Sequence, residues 1–234
     1  IEVGGTNRQK PQFVLNRWGS ERSIALSLDT RENSLIEQQK EQFLWKGSDT
    51  LLRIYQKEAE SVEVEIILLS KPASNRIRLN METAGLDFHW QPPLTAEMTV
   101  GRDGVSVLTP THAYDALGRV LVHRPTDVVG SYVAMHNVQG RSFFKTHEEG
   151  LKYQTGIAFQ LYRPKCVDAA GRTRWADQTI GDGYLEIIVD PDWLASAKYP
   201  VTVDPEFGYH VIGGTSGGVG LSNRIMASAM AAPA

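Results

Sequence analysis

The sequence predicts an all-β fold, an antiparallel β-sandwich-like body with extended N- and C-terminal arms, on three observations. Apolar and polar side chains alternate with a period of two along most of the chain, the mark of strands with one buried face. Gly, Pro, Asn and Asp separate these runs and supply the conformations that tight turns need. Helical signals are confined to two short stretches.

In chain order, residues 13–18 and 23–28 read as the first pair of strands. Residues 34–42 are polar and helix-tolerant, and read either as a short helix or as a long loop. Residues 51–55 form the next strand. In residues 61–67 Val62, Val64 and Ile66 face one way and Glu63 and Glu65 the other, which predicts a buried and a polar face. Leu68 and Leu69 close this run more deeply, before Pro72, which cannot donate to a ladder. Ile77, Leu79 and Met81 alternate with Arg76, Arg78, Asn80 and Glu82 in the clearest half-buried strand of the chain. Residues 132–136, 157–162, 184–189 and 200–203 complete the set. Two turns share a chemistry, Asp115-Ala116-Leu117-Gly118-Arg119 and Asp168-Ala169-Ala170-Gly171-Arg172. Each Asp can accept backbone N–H groups while the Gly three residues on takes the left-handed conformation, so both read as hairpin tips. Asp190-Pro191 is an N-cap followed by a Pro at the first helical position and predicts one helical turn ending near Lys198.

Three regions follow: an arm at 1–11, a body at 12–205 with a division into two sub-sheets near 93–110, and an arm or linker at 206–234. The last stretch has six glycines and only two charged side chains, too little surface to fold alone. The first residue is Ile1 and no basic-then-apolar segment follows it, so a processed or trimmed terminus is expected.

At 234 residues the chain is long enough to bury about 70% of its unfolded surface, so its core needs no disulfide, and the single Cys166 is expected buried in a strand. Lys and Arg number 24 against 27 Asp and Glu, a net charge of −3, which lacks the cationic surplus that binds phosphates. Nucleic acid is therefore excluded as an expected partner. So is a membrane, since the longest aliphatic run is Ile66 to Leu69, far short of the roughly 20 residues of a spanning helix.

The sequence carries few signs of catalysis. The six histidines, at 89, 112, 123, 136, 147 and 210, never fall at the i, i+4 spacing of a helical zinc site. The run Gly213 to Gly218 lacks the Lys and following helix of a phosphate loop. Asp103-Gly104 and Asp182-Gly183 lack the alternating oxygen ligands of a calcium loop. Glu82, Asp87, Asp190 and Asp192 are the carboxylates that a glycosidase reading would use. Glu82 lies on the polar side of its strand, however, and Asp190 serves as a helix cap. The expectation is no catalytic residue, no metal and no cofactor, with Trp90 and Trp175 as candidate contacts for a partner or a glycan.

Five blocks in order carry a resemblance: residues 13–19 (Phe-Val-Leu-Asn-Arg-Trp-Gly), 82–95 (from Glu82-Thr83-Ala84-Gly85-Leu86 to Pro93-Leu94-Thr95), 128–136 (Val-Val-Gly-Ser-Tyr-Val-Ala-Met-His), 155–165 (Thr-Gly-Ile-Ala-Phe-Gln-Leu-Tyr-Arg-Pro-Lys) and 199–209 (Tyr-Pro-Val-Thr-Val-Asp-Pro-Glu-Phe-Gly-Tyr). Together they resemble a family of β-rich virion structural proteins of tailed bacteriophages. The last block is also similar to the closing strand of bacterial wall-associated and Rhs-type modules. The resemblance implies a non-enzymatic role at the virion surface, as a capsid decoration or fibre-anchoring subunit. It implies contacts with the capsid protein or a fibre and with copies of itself, as a homo-oligomer for which a trimer is one arrangement. It brings no catalytic residue. The other reading is a carbohydrate-binding or glycan-hydrolysing module of a tail fibre or bacterial surface protein.

Overall fold

The computed structural model describes residues 2–5, 11–28, 34–39, 42–58, 61–101, 103–138, 146–153 and 155–209. The fold is all-β. Its first strands are β1 (Glu2–Val3), β2 (Phe13–Arg17), β3 (Arg22–Leu28), β4 (Ser34–Gln39), β5 (Gln42–Lys46), β6 (Thr50–Glu58), β7 (Ser61–Leu68), β8 (Arg76–Ala84) and β9 (Leu86–Trp90). After a 3-10 turn at Glu97–Thr99 come β10 (Val107–Leu108), β11 (His112–Tyr114), β12 (Val120–His123), β13 (Tyr132–His136) and a short helix, α1 (His147–Tyr153). The rest are β14 (Ile157–Leu161), β15 (Lys165–Asp168), β16 (Thr173–Trp175), β17 (Asp177–Gly181), β18 (Tyr184–Ile188), helix α2 (Pro191–Ser196), β19 (Val201–Asp204) and β20 (Glu206–Tyr209).

One sheet runs β1-β2-β3-β8-β18-β17 and the other β16-β15-β19-β7-β20-β14-β13-β9, with β6, β5 and β4 continuing from the far edge of β7. The alternation along β8 decides its orientation. Ile77, Leu79 and Met81 are buried and Arg76, Arg78 and Glu82 are exposed. From this sheet Phe13, Leu15, Ile24, Leu26, Leu79 and Ile187 meet Trp45, Ile54, Val64, Ile66, Val203 and Phe207 of the other in one core. Phe13 and Phe207 touch edge to face at 5.3 Å between ring centres, a favoured aromatic arrangement. Cys166 lies in this core, where burial pushes its thiol up to about 12.

Several expectations are corrected. Residues 34–39 form a strand rather than a helix or loop, because pairing with β5 outweighs helix preferences of a few tenths of a kcal/mol per residue. Glu63 and Glu65, read as the polar face of their strand, are buried. The neighbouring strands cover them: Arg53 Nε donates to Glu65 Oε2 at 2.5 Å and Tyr55 Oη donates to Oε1 at 3.0 Å. Burial and this carboxylate push the Tyr55 hydroxyl up to about 12. Strand pairing also passes the expected limits of 12 and 205. Glu2 and Val3 pair with Val14 and Phe13, and Glu206 to Gly208 pair with β7. Residues 1, 6–10 and 210–234 of the expected arms, including Gly213 to Gly220, lie outside the described residues.

The chain is not divided into two sub-sheets near 93–110, since each large sheet takes strands from both sides of that stretch. Residues 107–123 instead build a separate three-stranded sheet, β10-β11-β12. It is fixed to the body by Arg124, fully buried, whose N–H reaches the Thr111 carbonyl at 2.7 Å and whose guanidinium donates to the Pro92 carbonyl. Among the described residues no helix is long and apolar enough to cross a membrane.

Candidate functional site

The two Asp-x-x-Gly-Arg segments fold into the same turn. Between β11 and β12, Asp115 Oδ1 accepts the N–H groups of Leu117 at 2.8 Å and Arg119 at 2.9 Å, and Arg119 Nε donates to Oδ2 at 2.6 Å. Between β15 and β16, Asp168 Oδ1 accepts from Ala170 and Arg172, both at 2.9 Å, and Arg172 Nε donates to Oδ2 at 2.8 Å. Gly118 and Gly171 sit at φ of +76° and +77°, which a side chain would strain. Bonds from the Arg119 N–H and guanidinium hold the Asp115 carboxyl below the usual range. The Lys198 N–H heads the bonds that hold Asp168 lower still.

The surroundings differ. At the second turn Lys198 donates its N–H to Asp168 Oδ2 at 3.0 Å and Arg172 Nη2 donates to the Ser196 carbonyl at 2.5 Å. At the first, Asp115 and Arg119 bond only within the turn among the described residues, and the Arg119 side chain is 74% exposed. Register places Val107, Tyr114 and Val120 on one face of the small sheet. His112 and His123 share that face, stacked at 4.4 Å, with His112 against Tyr114 at 5.5 Å. Val107 and Val120 are about half exposed, at 52% and 53%, and Leu117 at the tip is 78% exposed.

Of the two predicted tryptophan contacts, Trp175 lines a cleft of about 240 Å³ with Arg174, Asp177 and Asp190 where the chain crosses from β16 to β17. Trp90, half exposed on β9, does not belong to that cleft. Asp190 Oδ2 accepts from Arg174 at 2.5 Å, while its Oδ1 caps α2 through the N–H groups of Asp192 at 3.0 Å and Trp193 at 2.9 Å. These bonds hold Asp190 below the usual carboxylate range, led by the Trp193 N–H. Asp177 is paired with Arg163 at 2.8 Å. An ionised, capped carboxylate is a hydrogen-bond acceptor and not a proton donor, and Asp190 stands in the cleft in that form. The other carboxylates of the glycosidase reading lie apart: Glu82 is exposed on β8, Asp87 sits opposite Met135 on β9, and Asp192 lies in the first turn of α2.

One cluster has no local sequence signal. Trp18, at φ +53° in the turn before β3, packs against His136 and Tyr153 at 5.4 Å each. Glu21 accepts from Tyr153 Oη at 2.9 Å and Lys152 Nζ at 2.7 Å. The Val138 N–H donates to His136 Nδ1 at 3.1 Å, which leaves the proton on Nε2, 3.2 Å from Glu21 Oε1. Both ring nitrogens are thus engaged by the protein, and the cluster fastens α1 to the β2–β3 turn. The Lys152 bond lowers the Glu21 carboxyl to about 2 against the opposing cost of its burial, with His136 and Tyr153 adding to the effect.

A larger cleft, about 390 Å³, opens between the sheets at Leu28, Ile66, Leu68 and Ile77; its ionisable lining is Arg76 and Arg78, both paired with Glu186. Among the described residues no group of three His, Cys, Asp or Glu is placed to hold a metal ion. No protein-family model, curated protein or solved structure matches this chain.

Proposed function

We propose that this chain is a non-enzymatic structural protein of a tailed-phage virion, a capsid decoration or fibre-anchoring subunit at the virion surface that contacts other virion proteins and copies of itself. The observation that carries the reading is the outer face of the three-stranded sheet. Val107 and Val120 stand half exposed on one face of the anchored sheet, either side of Tyr114, with Leu117 exposed at its tip, and exposed apolar side chains gathered in this way mark interaction surfaces. The five ordered sequence blocks support the same assignment. Quantitative mass spectrometry of purified particles tests it. A decoration subunit is expected in hundreds of copies per particle and an anchoring subunit in a few per fibre; absence from the particle overturns both.

The Trp175 cleft favours a second reading, a carbohydrate-binding module. An aromatic ring beside Arg174, Asp177 and Asp190 offers a stacking surface and charged hydrogen-bond partners for one sugar ring. A glycan array with strong hits that Trp175→Ala abolishes establishes it, and an array without hits removes it.

A further inference from the structure

We propose that β9 is a docking edge for a second copy of this chain, through antiparallel pairing of Leu86–Trp90 with the same segment of the copy about a two-fold axis at Phe88. β9 ends the larger sheet, and among the described residues no strand pairs with its outer side. Burial falls away there: Val133, Ala134, Met135 and His136 of β13 are buried, whereas no residue of β9 is. The bonds to β13 decide which backbone groups are free. The Asn137 N–H reaches the Gly85 carbonyl at 3.0 Å and the Gln91 N–H reaches the Ser131 carbonyl at 2.9 Å, and the register between them runs without a bulge. Backbone groups alternate sides along a strand, so Asp87 and His89 also turn to β13, while Leu86, Phe88 and Trp90 turn their N–H and C=O outward. No Lys, Pro or bulge, the usual guards of an edge, interrupts this segment.

The occupant follows from the order of the side chains. Outward backbone groups bond only to outward backbone groups, so Leu86, Phe88 and Trp90 must face the same three residues of the partner. Centring the pair on Phe88 does this for all three and sets Asp87 opposite the partner's His89, a carboxylate beside a ring N–H donor. Those two form a non-hydrogen-bonded pair, in which cross-strand side chains come closest. Sliding the copy by two residues sets Asp87 against Asp87 or His89 against His89, and sliding it by one loses the backbone bonds. The segment is therefore complementary to itself in one register, as a two-fold contact requires. Trp90, half exposed, gains Leu86 of the copy as a neighbour on the face where Leu86 and Phe88 already pack on the core. That copies of the chain meet at all belongs to the structural reading above, on which the choice of occupant rests; the pairing itself needs no virion.

The five residues of β9 span about 17 Å, less than a standard interface, so a weak dimer with Kd on the order of 100 µM is expected. Sedimentation equilibrium of the full chain between about 5 and 500 µM measures it. Trp90→Pro removes one outward N–H and the ring at a position where an edge strand tolerates Pro, and is expected to weaken association about tenfold. His89→Asp opposes acid to acid and Asp87→His opposes imidazole to imidazole, so each alone is expected to weaken the dimer severalfold. An equimolar mixture of these two variants is expected to restore it as a heterodimer, a rescue that damage to the fold does not produce. Amide exchange at Leu86, Phe88 and Trp90 is expected to slow with concentration, while that at Asp87 and His89 stays constant. A monomer throughout, an affinity unchanged by Trp90→Pro, or a mixture that associates no better than its parts overturns the proposal. Particle copy number is read independently, so failure of the virion assignment leaves a measured dimer standing.

Discussion

The turns at 115–119 and 168–172 share their Asp, Gly and Arg, their φ values and their internal hydrogen bonds, yet one is built into the sandwich and the other stands at its margin. In the second, Asp168 is fully shielded and ties its own turn to the approach to β19, while Arg172, which it holds, reaches the end of α2. In the first, Asp115 organises only itself. The difference teaches that a turn motif fixes local geometry, while its contribution to the fold depends on what the surrounding chain brings to the same atoms.

The largest effect expected of any change to the pair is Asp168→Ala. It strands the N–H groups of Ala170, Arg172 and Lys198 and removes the partner of Arg172, and should lower the thermal midpoint by roughly 10 °C. Asp115→Ala should lower it by less than half as much. Equal midpoints for the two variants, measured by calorimetry, would break the comparison.

Acid should separate the turns next. Both carboxyls have folded values below the ordinary 3.8, so each contributes stability that is complete above that pH and lost as pH falls through its folded value. Asp168 is held lower, so on acidification the Gly118 amide signal should move before that of Gly171; simultaneous movement would contradict the difference in bonding. Glu21 obeys the same sign, its tie to α1 complete above about 4.5 and lost toward 2, and Glu21→Gln should abolish that acid step in the α1 amides.

Replacing the glycines sharpens the comparison as a control. Gly118 and Gly171 have the same φ, and a Cβ at either meets no atom within 4 Å, so Gly118→Ala and Gly171→Ala should each cost about 1–2 kcal/mol, measured by urea unfolding. Unequal costs would mean that the turns themselves differ. The smallest effect belongs to Leu117→Ser, which should leave stability within about 0.5 kcal/mol, because the side chain lies in solvent.

The turns were legible in the sequence because all their chemistry lies within five residues, and the strand at 76–82 because alternation records burial residue by residue. Where partners come from a distance, the sequence was silent. Nothing local links Asp168 to Lys198, or Glu21 to His136 and Tyr153, whose contacts arise only when the sheets close. Glu63 and Glu65 misled for the same reason: a charged residue reads as outward until a neighbouring strand supplies Arg53 and Tyr55. Trp175 was singled out by type alone, and only the fold put Asp177, from the crossing to β17, and Asp190, from the N-cap of α2, beside it.

Strands β19 and β20 pair along one edge of β7, while β15 takes the far side of β19 and β14 the far side of β20. On a ribosome this stretch is the last of the described chain to appear. Until it emerges, β7 has an unpaired edge, and neither β15 with β16 nor β14 with β13 and β9 can join it. The larger sheet therefore closes only once residues 201–209 have emerged, when two late strands are laid between parts already waiting. For that interval the nascent protein exposes apolar strand edges that invite pairing with other chains. The yield of native protein should thus depend on how quickly residues 201–209 follow the rest, an influence of translation rate that no contact in the finished molecule records.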